Sequence, residues 1–226
     1  MSDYPLPVQV IVFDVDGTLL DSVDLHAKAW VDAFADYGHR LQLEDIRGQI
    51  GKGGDQLLPA FLTPEEIASR GEELEAHRAK LLKQRYLPLM KPFPKVRELL
   101  ERVRNDGKKV ALASSAKKDE LEIYKEILNV EDLIDIETSS DDAEKSKPHA
   151  DIFQAVLKRL GNAKPGNLLA VGDTAYDAQA AEQAGIRIVG LLSGGWSEKE
   201  LRKAGCFAVY RDPADLLVRY PEWSDS

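Results

Sequence analysis

Two aspartates separated by one residue, Asp14 and Asp16, are the side chains of this sequence best placed to do chemistry. They follow the apolar run Val10-Ile11-Val12-Phe13, which predicts a buried strand, and Gly17 directly after them predicts a turn. Side chains alternate along an extended backbone, so two residues at this spacing can face the same side. Because open parallel sheets bind ligands at the carboxyl ends of their strands, we expect a carboxylate site here.

Polar side chains also follow the later predicted strands. They are Ser114 and Ser115 after one strand, Asp173 and Asp177 after another, and Lys147 on the loop between them. The carboxyl ends of parallel strands meet along one edge, so these groups can converge. Carboxylates brought together repel one another, and Mg²⁺ relieves this best because it accepts carboxylates and a substrate phosphate as ligands. A carboxylate can also attack phosphorus and form an aspartyl phosphate.

The elements that position these groups fall into two regions. Residues 21–91 are predicted to be helical, and the capping box Thr63-Pro64-Glu65-Glu66 predicts a long helix to about Tyr86. The segment Pro92-Phe93-Pro94 interrupts that pattern, after which helices and strands alternate. The fold class we predict is α/β, a Rossmann-like, mostly parallel sheet core with an inserted all-helical cap. Residues 1–20 and 92–226 form the core domain in this interpretation, and residues 21–91 form the cap.

The bulk composition excludes several classes of protein. The chain has 226 residues and a net charge of -9, which is opposite to the basic footprint of a nucleic-acid binder. Cys206 is the single cysteine, which excludes an internal disulfide and fits a reducing compartment. The first five residues, Met1 to Pro5, include no basic region, and no apolar run approaches the ~18 residues of a membrane span. We therefore expect a soluble cytoplasmic protein without a nucleic-acid or membrane partner, and its oligomeric state stays open.

Four segments resemble, in order, the motifs of the haloacid dehalogenase (HAD) superfamily. They are Asp14-Val15-Asp16-Gly17-Thr18-Leu19, the strand ending at Ser114, Lys147-Pro148, and Gly172-Asp173-Thr174-Ala175-Tyr176-Asp177. The sequence is similar above all to the small-helical-cap phosphatases, the phosphoglycolate phosphatase and β-phosphoglucomutase group. This resemblance covers nearly the whole chain, including the cap position and the Gly194-Gly195-Trp196-Ser197 tract.

The resemblance implies roles for the four aspartates. Asp14 would be the nucleophile and a metal ligand, and Asp16 would bind the metal through its backbone carbonyl and act as general acid and then base. Asp173 would bind Mg²⁺, and Asp177 would support that site. Dehalogenases that cleave carbon–halogen bonds lack an acid two residues after the nucleophile, so Asp16 favours phosphate chemistry.

The resemblance also implies how the phosphoryl group is held. Ser114 would hydrogen-bond that group, although Ser115 beside it is an alternative phosphate contact. Lys147 would neutralise charge on the nucleophile and on the transferring group. Lys145 is a rival for this role, but the proline after Lys147 matches the family pattern.

Residues of the predicted cap could contact the rest of the substrate. His26 lies four residues before Trp30 on the first cap helix, near the predicted hinge, and could touch substrate. The glycine-rich tract from Arg47 to Asp55 lacks the lysine-serine or lysine-threonine ending of a P-loop. We hypothesise that it reaches over the core and supplies Arg47 and Lys52, so that replacing either with alanine raises KM.

These observations predict a Mg²⁺-dependent phosphatase that acts on a small phosphorylated metabolite through an aspartyl phosphate. Phosphoglycolate, a sugar phosphate or a nucleoside monophosphate would each suit the architecture. A sugar phosphomutase is the alternative enzyme, because residues 21–30 and the Lys147-Pro148 region also resemble that group. A non-enzymatic phospho-acceptor, like a receiver domain, uses similar groups but has no second acid placed as proton donor and no cap of ~70 residues here.

Overall fold

The computed structural model describes residues 8–224, and its centre is a six-stranded parallel sheet. The strands are β1 Val10–Phe13, β2 Leu20–Asp21, β3 Lys91–Pro92, β4 Lys109–Ala113, β5 Ile136–Thr138, β6 Leu168–Gly172, β7 Arg187–Leu191 and β8 Ala208–Tyr210. The order in the large sheet is β5-β4-β1-β6-β7-β8, and each neighbouring pair in it is parallel. The predicted α/β fold class is confirmed.

The helices lie on both faces of this sheet and in the segment between β2 and β3. They are α1 Val23–Asp36, α2 Leu43–Arg47, α3 Gly54–Leu57, α4 Pro64–Leu81, α5 Val96–Asn105, α6 Lys118–Leu128, α7 Asp151–Arg159, α8 Ala175–Gln183, α9 Glu198–Lys203, α10 Pro213–Val218 and α11 Tyr220–Trp223. Alternate residues of β1 enter different cores: Ile11 and Phe13 pack with α5, α6 and α10, whereas Val10 and Val12 pack with α7, α8 and α9. The central strand is therefore buried on both faces, as its continuous apolar run predicts.

The segment between β2 and β3 is a helical insertion with a core of its own. Apolar side chains of α1 to α4 form this core, including Trp30, Phe34, Ile46 and Leu74. Strands β2 and β3 pair antiparallel, with Asp21 opposite Lys91, where the chain leaves the sheet and returns to it. Residues 21–91 stay the proposed cap, and residues 1–7 and 225–226 of the proposed core domain lie outside the described residues.

The capping box that the sequence predicts is present at the start of α4. The Thr63 hydroxyl accepts a hydrogen bond from the backbone N–H of Glu66 at 3.3 Å, and the Glu66 carboxylate accepts one from the Thr63 N–H at 2.8 Å. A π-helical segment, Leu82–Tyr86, continues this helix to the predicted end. Across residues 8–224 there is no helix with both the length and the apolar character that crossing a membrane requires.

The strand order places the end of β1 at a crevice. From β1 the chain proceeds outward through β4 and β5 on one side, and through β6, β7 and β8 on the other. Phe13, the last residue of β1, is in register with Leu112 of β4 and Val171 of β6. Ligands of open α/β sheets bind where the strand order reverses in this way. Asp14 follows Phe13 directly and so lies at this point.

Candidate active site

Three buried carboxylates meet at the carboxyl ends of β1 and β6. Asp14, Asp173 and Asp177 each offer an oxygen, and these oxygens lie within 4.8 Å of one another. The backbone N–H of Asp14 donates to the carbonyl of Val171 at 2.9 Å, which extends the β1–β6 ladder by one residue. Asp177 is fixed by a capping box at the start of α8, where its Oδ2 accepts hydrogen bonds from the backbone and hydroxyl of Thr174 at 3.0 and 2.6 Å.

Lys147 places a positive charge inside this carboxylate cluster. Its Nζ lies 2.5 Å from Oδ1 of Asp14 and 2.8 Å from Oδ1 of Asp177. It also donates to the carbonyl of Ala113, the last residue of β4, at 2.9 Å. Only 1% of the lysine side chain is exposed, so its charge acts with little screening by solvent. A loop residue far along the chain is thus held against the ends of two central strands.

The pKa values of the carboxylates and of the lysine in this cluster indicate that negative charge is in excess. Burial raises the pKa of Asp14 to about 7, with Lys147 opposing and Asp177 adding to the shift. Burial and the neighbouring carboxylates of Asp14 and Asp177 raise the pKa of Asp173 well above its ordinary value. Burial alone would lower the pKa of Lys147, but the two adjacent carboxylates outweigh it and raise that pKa. One ammonium group therefore does not compensate three carboxylates.

The donor set fits a hard divalent cation. Oδ1 of Asp173 accepts a hydrogen bond from the Thr18 hydroxyl at 2.7 Å, whereas Oδ2 is buried and has no hydrogen-bond partner among residues 8–224. Gly17 and Gly194 leave space beside this oxygen, since a Cβ at these positions would lie 2.3 and 1.7 Å from it. An unpartnered buried carboxylate oxygen, next to further carboxylates and without nitrogen or sulfur ligands, is typical of a site for a hard divalent cation.

The side chain of Asp16 is held apart from this cluster. Its Oδ1 accepts a hydrogen bond from the Ser22 hydroxyl at 2.6 Å and lies 2.8 Å from Nε2 of His26. Burial would raise the pKa of Asp16, but His26 and Ser22 outweigh it and hold that pKa below its ordinary value. Ser22 occupies the N-cap position of α1, but its hydroxyl bonds to Asp16 and to the Leu20 carbonyl rather than to the helix.

A cavity of about 320 Å³ opens above both catalytic candidates. Asp14, Asp16, His26 and Ser115 contribute to its wall on the side of the sheet. Ser114 is fully buried and is absent from the described wall, and its hydroxyl accepts a hydrogen bond from the backbone of Ala116 at 3.0 Å. Of the two serines, Ser115 therefore faces the cavity in this arrangement.

The glycine-rich cap tract forms the opposite wall and docks directly on the core. The backbone N–H of Gly53 donates to the hydroxyl of Ser146 at 2.9 Å, and the hydroxyl of Ser115 donates to the carbonyl of Gly51 at 3.2 Å. Asp55 accepts hydrogen bonds from the backbone and the hydroxyl of Ser146, the residue before Lys147. The tract thus covers the site.

The structure separates the two cations that the sequence places in this tract. Lys52 lines the cavity, donates to Gln49 at 2.6 Å and lies 4.5 Å from the centre of the Tyr176 ring. Arg47 is outside the described cavity wall and pairs with Asp24 at 2.7 Å. Whether either residue affects KM stays a prediction.

Several residues of the site were not predicted from the sequence. Thr18 belongs to the first motif, so its position beside Asp173 could have been found from that motif. Glu75, Arg78 and Glu120 also line the cavity, but on their helices they have the same pattern as surface charges.

Comparisons with known proteins agree with this geometry. The sequence profile of the family described as "Haloacid dehalogenase-like hydrolase" matches residues 11–191. A phosphorylated carbohydrates phosphatase of Thermotoga maritima is 30% identical, over 93% of this chain and 97% of that protein. A phosphoglycolate phosphatase of Nitrosospira multiformis is 29% identical, over 91% of this chain and 92% of that protein. The crystal structure of a hydrolase from Pseudomonas syringae is 32% identical, with a TM-score of 0.87, and covers 96% of this chain and 99% of that chain.

Proposed function

Since this chain belongs to the haloacid dehalogenase-like hydrolase family, we propose that it is a cytoplasmic, Mg²⁺-dependent phosphatase of small phosphate esters. One observation carries the proposal: the buried Asp14–Lys147 pair lies beside Asp173 and Asp177 and borders a covered cavity that Asp16 also lines. Phosphoryl transfer needs a nucleophile, a proton donor and positive charge at one place, and this arrangement supplies them.

Asp14 is the nucleophile in this proposal. Its carboxylate oxygen attacks phosphorus, a bond between Asp14 and phosphorus forms, and the bond from phosphorus to the ester oxygen breaks. Lys147 holds the Asp14 carboxylate in orientation and offsets negative charge as it develops on the transferring group. Ser115 faces the cavity and Ser114 lies beneath it, which supports Ser115, whose hydroxyl donates to Gly51 in this structure, as the serine that would turn to a phosphoryl oxygen.

Asp16 moves the proton in both half-reactions. In the first, its carboxyl gives a proton to the leaving alkoxide; because the pKa of Asp16 is low in the free site, the carboxyl takes up this proton only when the negatively charged phosphate ester binds beside it. In the second, the resulting carboxylate accepts a proton from the water that attacks phosphorus, which releases inorganic phosphate and free Asp14. His26 and Ser22 position this carboxyl, since they bond to the same oxygen of Asp16.

The metal-binding residues would be Asp14, Asp173 and the backbone carbonyl of Asp16, with Asp177 in support. When bound there, Mg²⁺ would supply positive charge to the phosphoryl oxygens and neutralise the carboxylate cluster. Mg²⁺ would be the missing partner of Oδ2 of Asp173, which has no hydrogen-bond partner among residues 8–224.

The cap tract excludes bulk water from the aspartyl phosphate and selects the leaving group. Its polar wall suits a small phosphorylated metabolite, and the similarity to a phosphorylated carbohydrates phosphatase supports carbohydrate phosphates as the first compounds to test.

Release of inorganic phosphate from a panel of phosphorylated metabolites tests this function. We expect turnover that requires Mg²⁺, ceases with a chelator and is lost in Asp14→Asn. The control variant Asp45→Asn, which replaces an exposed carboxylate on α2, should retain full turnover. Failure to hydrolyse any ester, or full activity of Asp14→Asn, would contradict the proposal. Formation of an isomeric sugar phosphate without phosphate release would instead identify a phosphomutase, the alternative that residues 21–30 suggest.

A further inference from the structure

Arg78 is a partly buried cation in the cavity that the proposed catalytic steps do not use. It lies on α4 of the cap, lines the same cavity as Asp14 and Asp16, and its side chain is 18% exposed. Its Nε and Nη1 are buried, and neither has a hydrogen-bond partner among residues 8–224. Buried guanidinium groups are normally hydrogen-bonded, because an N–H group without an acceptor loses the bonds it would make to water. These two donors are therefore available to a molecule in the cavity.

The neighbours of Arg78 hold the guanidinium in place without satisfying it. The Trp30 ring faces it, with 5.0 Å between Cζ and the ring centre, a cation–π contact. Oε1 of Glu120, a buried side chain on α6 of the core, lies 3.9 Å from Nη1, which is beyond hydrogen-bond distance. Glu75, one turn before Arg78 on α4, also lines the cavity. The guanidinium thus has a fixed plane and two carboxylates nearby.

The combination of charges favours a hydroxyl group as the missing partner. A hydroxyl oxygen accepts a hydrogen bond from Nε or Nη1 of Arg78, and its proton can be donated to the Glu120 or Glu75 carboxylate. A carboxylate of a substrate would also accept from Arg78, but Glu75 and Glu120 would repel it. A purely apolar leaving group would leave all of these groups unpaired.

We propose that Arg78, together with Glu120, determines specificity by binding a hydroxyl group of the substrate's leaving group. The inference rests on the proposed function for the position of the phosphoryl end at Asp14. It assigns the recognition of the leaving group to the last turn of the cap helix α4 and to α6 of the core, which both contribute to the wall of the cavity.

The test compares two substrates in the Mg²⁺-loaded enzyme. One is p-nitrophenyl phosphate, whose leaving group has no second hydroxyl, and the other is the polyhydroxylated ester with the highest kcat/KM in the panel. In Arg78→Gln we expect kcat/KM for the hydroxylated ester to fall about 10-fold more than for p-nitrophenyl phosphate, chiefly through KM. Glu120→Gln should likewise lower kcat/KM more for the hydroxylated ester than for p-nitrophenyl phosphate. Arg70→Gln is the matched control, because Arg70 is an exposed arginine on the same helix that stacks on Tyr37.

An equal loss on both substrates would show that Arg78 is structural, and no loss on the hydroxylated ester would also overturn the proposal. Calorimetric binding of the hydroxylated esters of the panel to Asp14→Asn, with and without Arg78→Gln, separates this inference from the proposed function, because the ester with the lowest Kd for Asp14→Asn is chosen without any turnover. If the wild type hydrolyses nothing, the phosphatase proposal fails. A calorimetric Kd raised about 10-fold by Arg78→Gln in the Asp14→Asn background would then still support Arg78, and an unchanged Kd would reject it.

Discussion

Lys147 donates a hydrogen bond of 2.5 Å to Oδ1 of Asp14, and both side chains are buried at the carboxyl end of the central strand. The same ammonium lies 2.8 Å from Asp177, so one cation is shared between two carboxylates, while the third, Asp173, forms no ion pair among residues 8–224. The pKa values of Asp14 and Asp173 rise for this reason and because both are buried. The carboxylate cluster therefore both destabilises the metal-free protein and prepares it to bind a cation.

The first prediction concerns stability against pH. A carboxyl whose folded pKa is raised contributes stability at low pH that is lost as the pH rises through that pKa, which for Asp14 is about 7. We expect the Tm of the chelator-treated protein to fall as the pH rises from about 4, the ordinary pKa of an aspartate, to about 7, and to level off above that pH. Mg²⁺ should raise Tm more at pH 8 than at pH 6, because Asp14 is then ionised. Each ~1 kcal/mol of relieved repulsion corresponds to about 2–4 °C for a chain of this size.

Differential scanning fluorimetry with and without Mg²⁺ measures this effect, and Asp173→Asn is the informative variant. Removing that carboxylate lowers the repulsion and removes a proposed ligand. Its metal-free Tm at pH 8 should therefore equal or exceed that of the wild type, and its gain with Mg²⁺ should be smaller. A Mg²⁺ gain that is the same at both pH values, or is intact in Asp173→Asn, would contradict the proposed metal site.

The second prediction concerns His26 as a positioning residue. Its Nε2 lies 2.8 Å from Asp16 and 3.4 Å from the Tyr124 hydroxyl, so it fixes the orientation of the proposed acid and base. His26→Asn should lower kcat on the order of 10²-fold, because misplacing a reacting group by about 1 Å has effects of that size. KM and the Mg²⁺ gain in Tm should change little, since the Asp14–Asp173 cluster is not touched.

His77→Asn is the matched control for this experiment. His77 also contacts an aspartate, Asp36, at 2.7 Å, but on the exposed surface of the cap. Its replacement should leave kcat unaltered. Equal kcat losses in the two histidine variants, or a normal kcat in His26→Asn, would argue against the positioning role.

The third prediction uses two glycines with similar backbones and different surroundings. Gly51 has φ +105°, and a Cβ there would lie 2.8 Å from Cγ2 of Thr174 on the core. Gly38 has φ +90° with open space around it. Replacement with alanine should cost both variants on the order of 1 kcal/mol of stability from the positive φ. Only Gly51→Ala should also lower kcat/KM for the hydroxylated ester, by separating the cap tract from the core.

Steady-state kinetics and thermal unfolding of both variants check this prediction. Loss of activity in Gly38→Ala equal to that in Gly51→Ala would mean that stability alone controls turnover. Normal activity of Gly51→Ala would show that close docking of the tract is dispensable.

The convergence of Asp14, Lys147 and Asp173 could be predicted from sequence because it depends on strand ends. An apolar run that stops at an acid marks the end of a buried strand, and parallel pairing brings such ends to one edge. The sheet order of six strands confirms that reasoning for the fold. The capping box at Thr63 can likewise be predicted from the sequence, because it depends on two residues that are three positions apart.

The wall of the cavity could not be predicted in the same way. Arg78 and Glu120 lie on different helices, and their approach depends on how the cap packs on the core. Arg47, which the sequence hypothesis assigns to the substrate, pairs with Asp24 and lies outside the described cavity wall, and its effect on KM stays a prediction. Periodicity fixes which face of a helix is apolar, and it carries no information on which charged residue another domain will cover.

The central claim is that the phosphoryl group passes through Asp14 while Asp16 moves the proton. The Asp16→Asn variant is mixed with Mg²⁺ and p-nitrophenyl phosphate, and the reaction is quenched in acid. The direct measurement is then the mass of the peptide that contains Asp14. The p-nitrophenolate leaving group needs little protonation, so the first step proceeds, whereas hydrolysis lacks its base. We predict that this peptide gains the mass of one phosphoryl group, and that the gain is absent when Asp14→Asn is added. A phosphoryl group on a residue other than Asp14 would contradict the proposed mechanism. So would the absence of any phosphorylated peptide while the wild type hydrolyses the same ester.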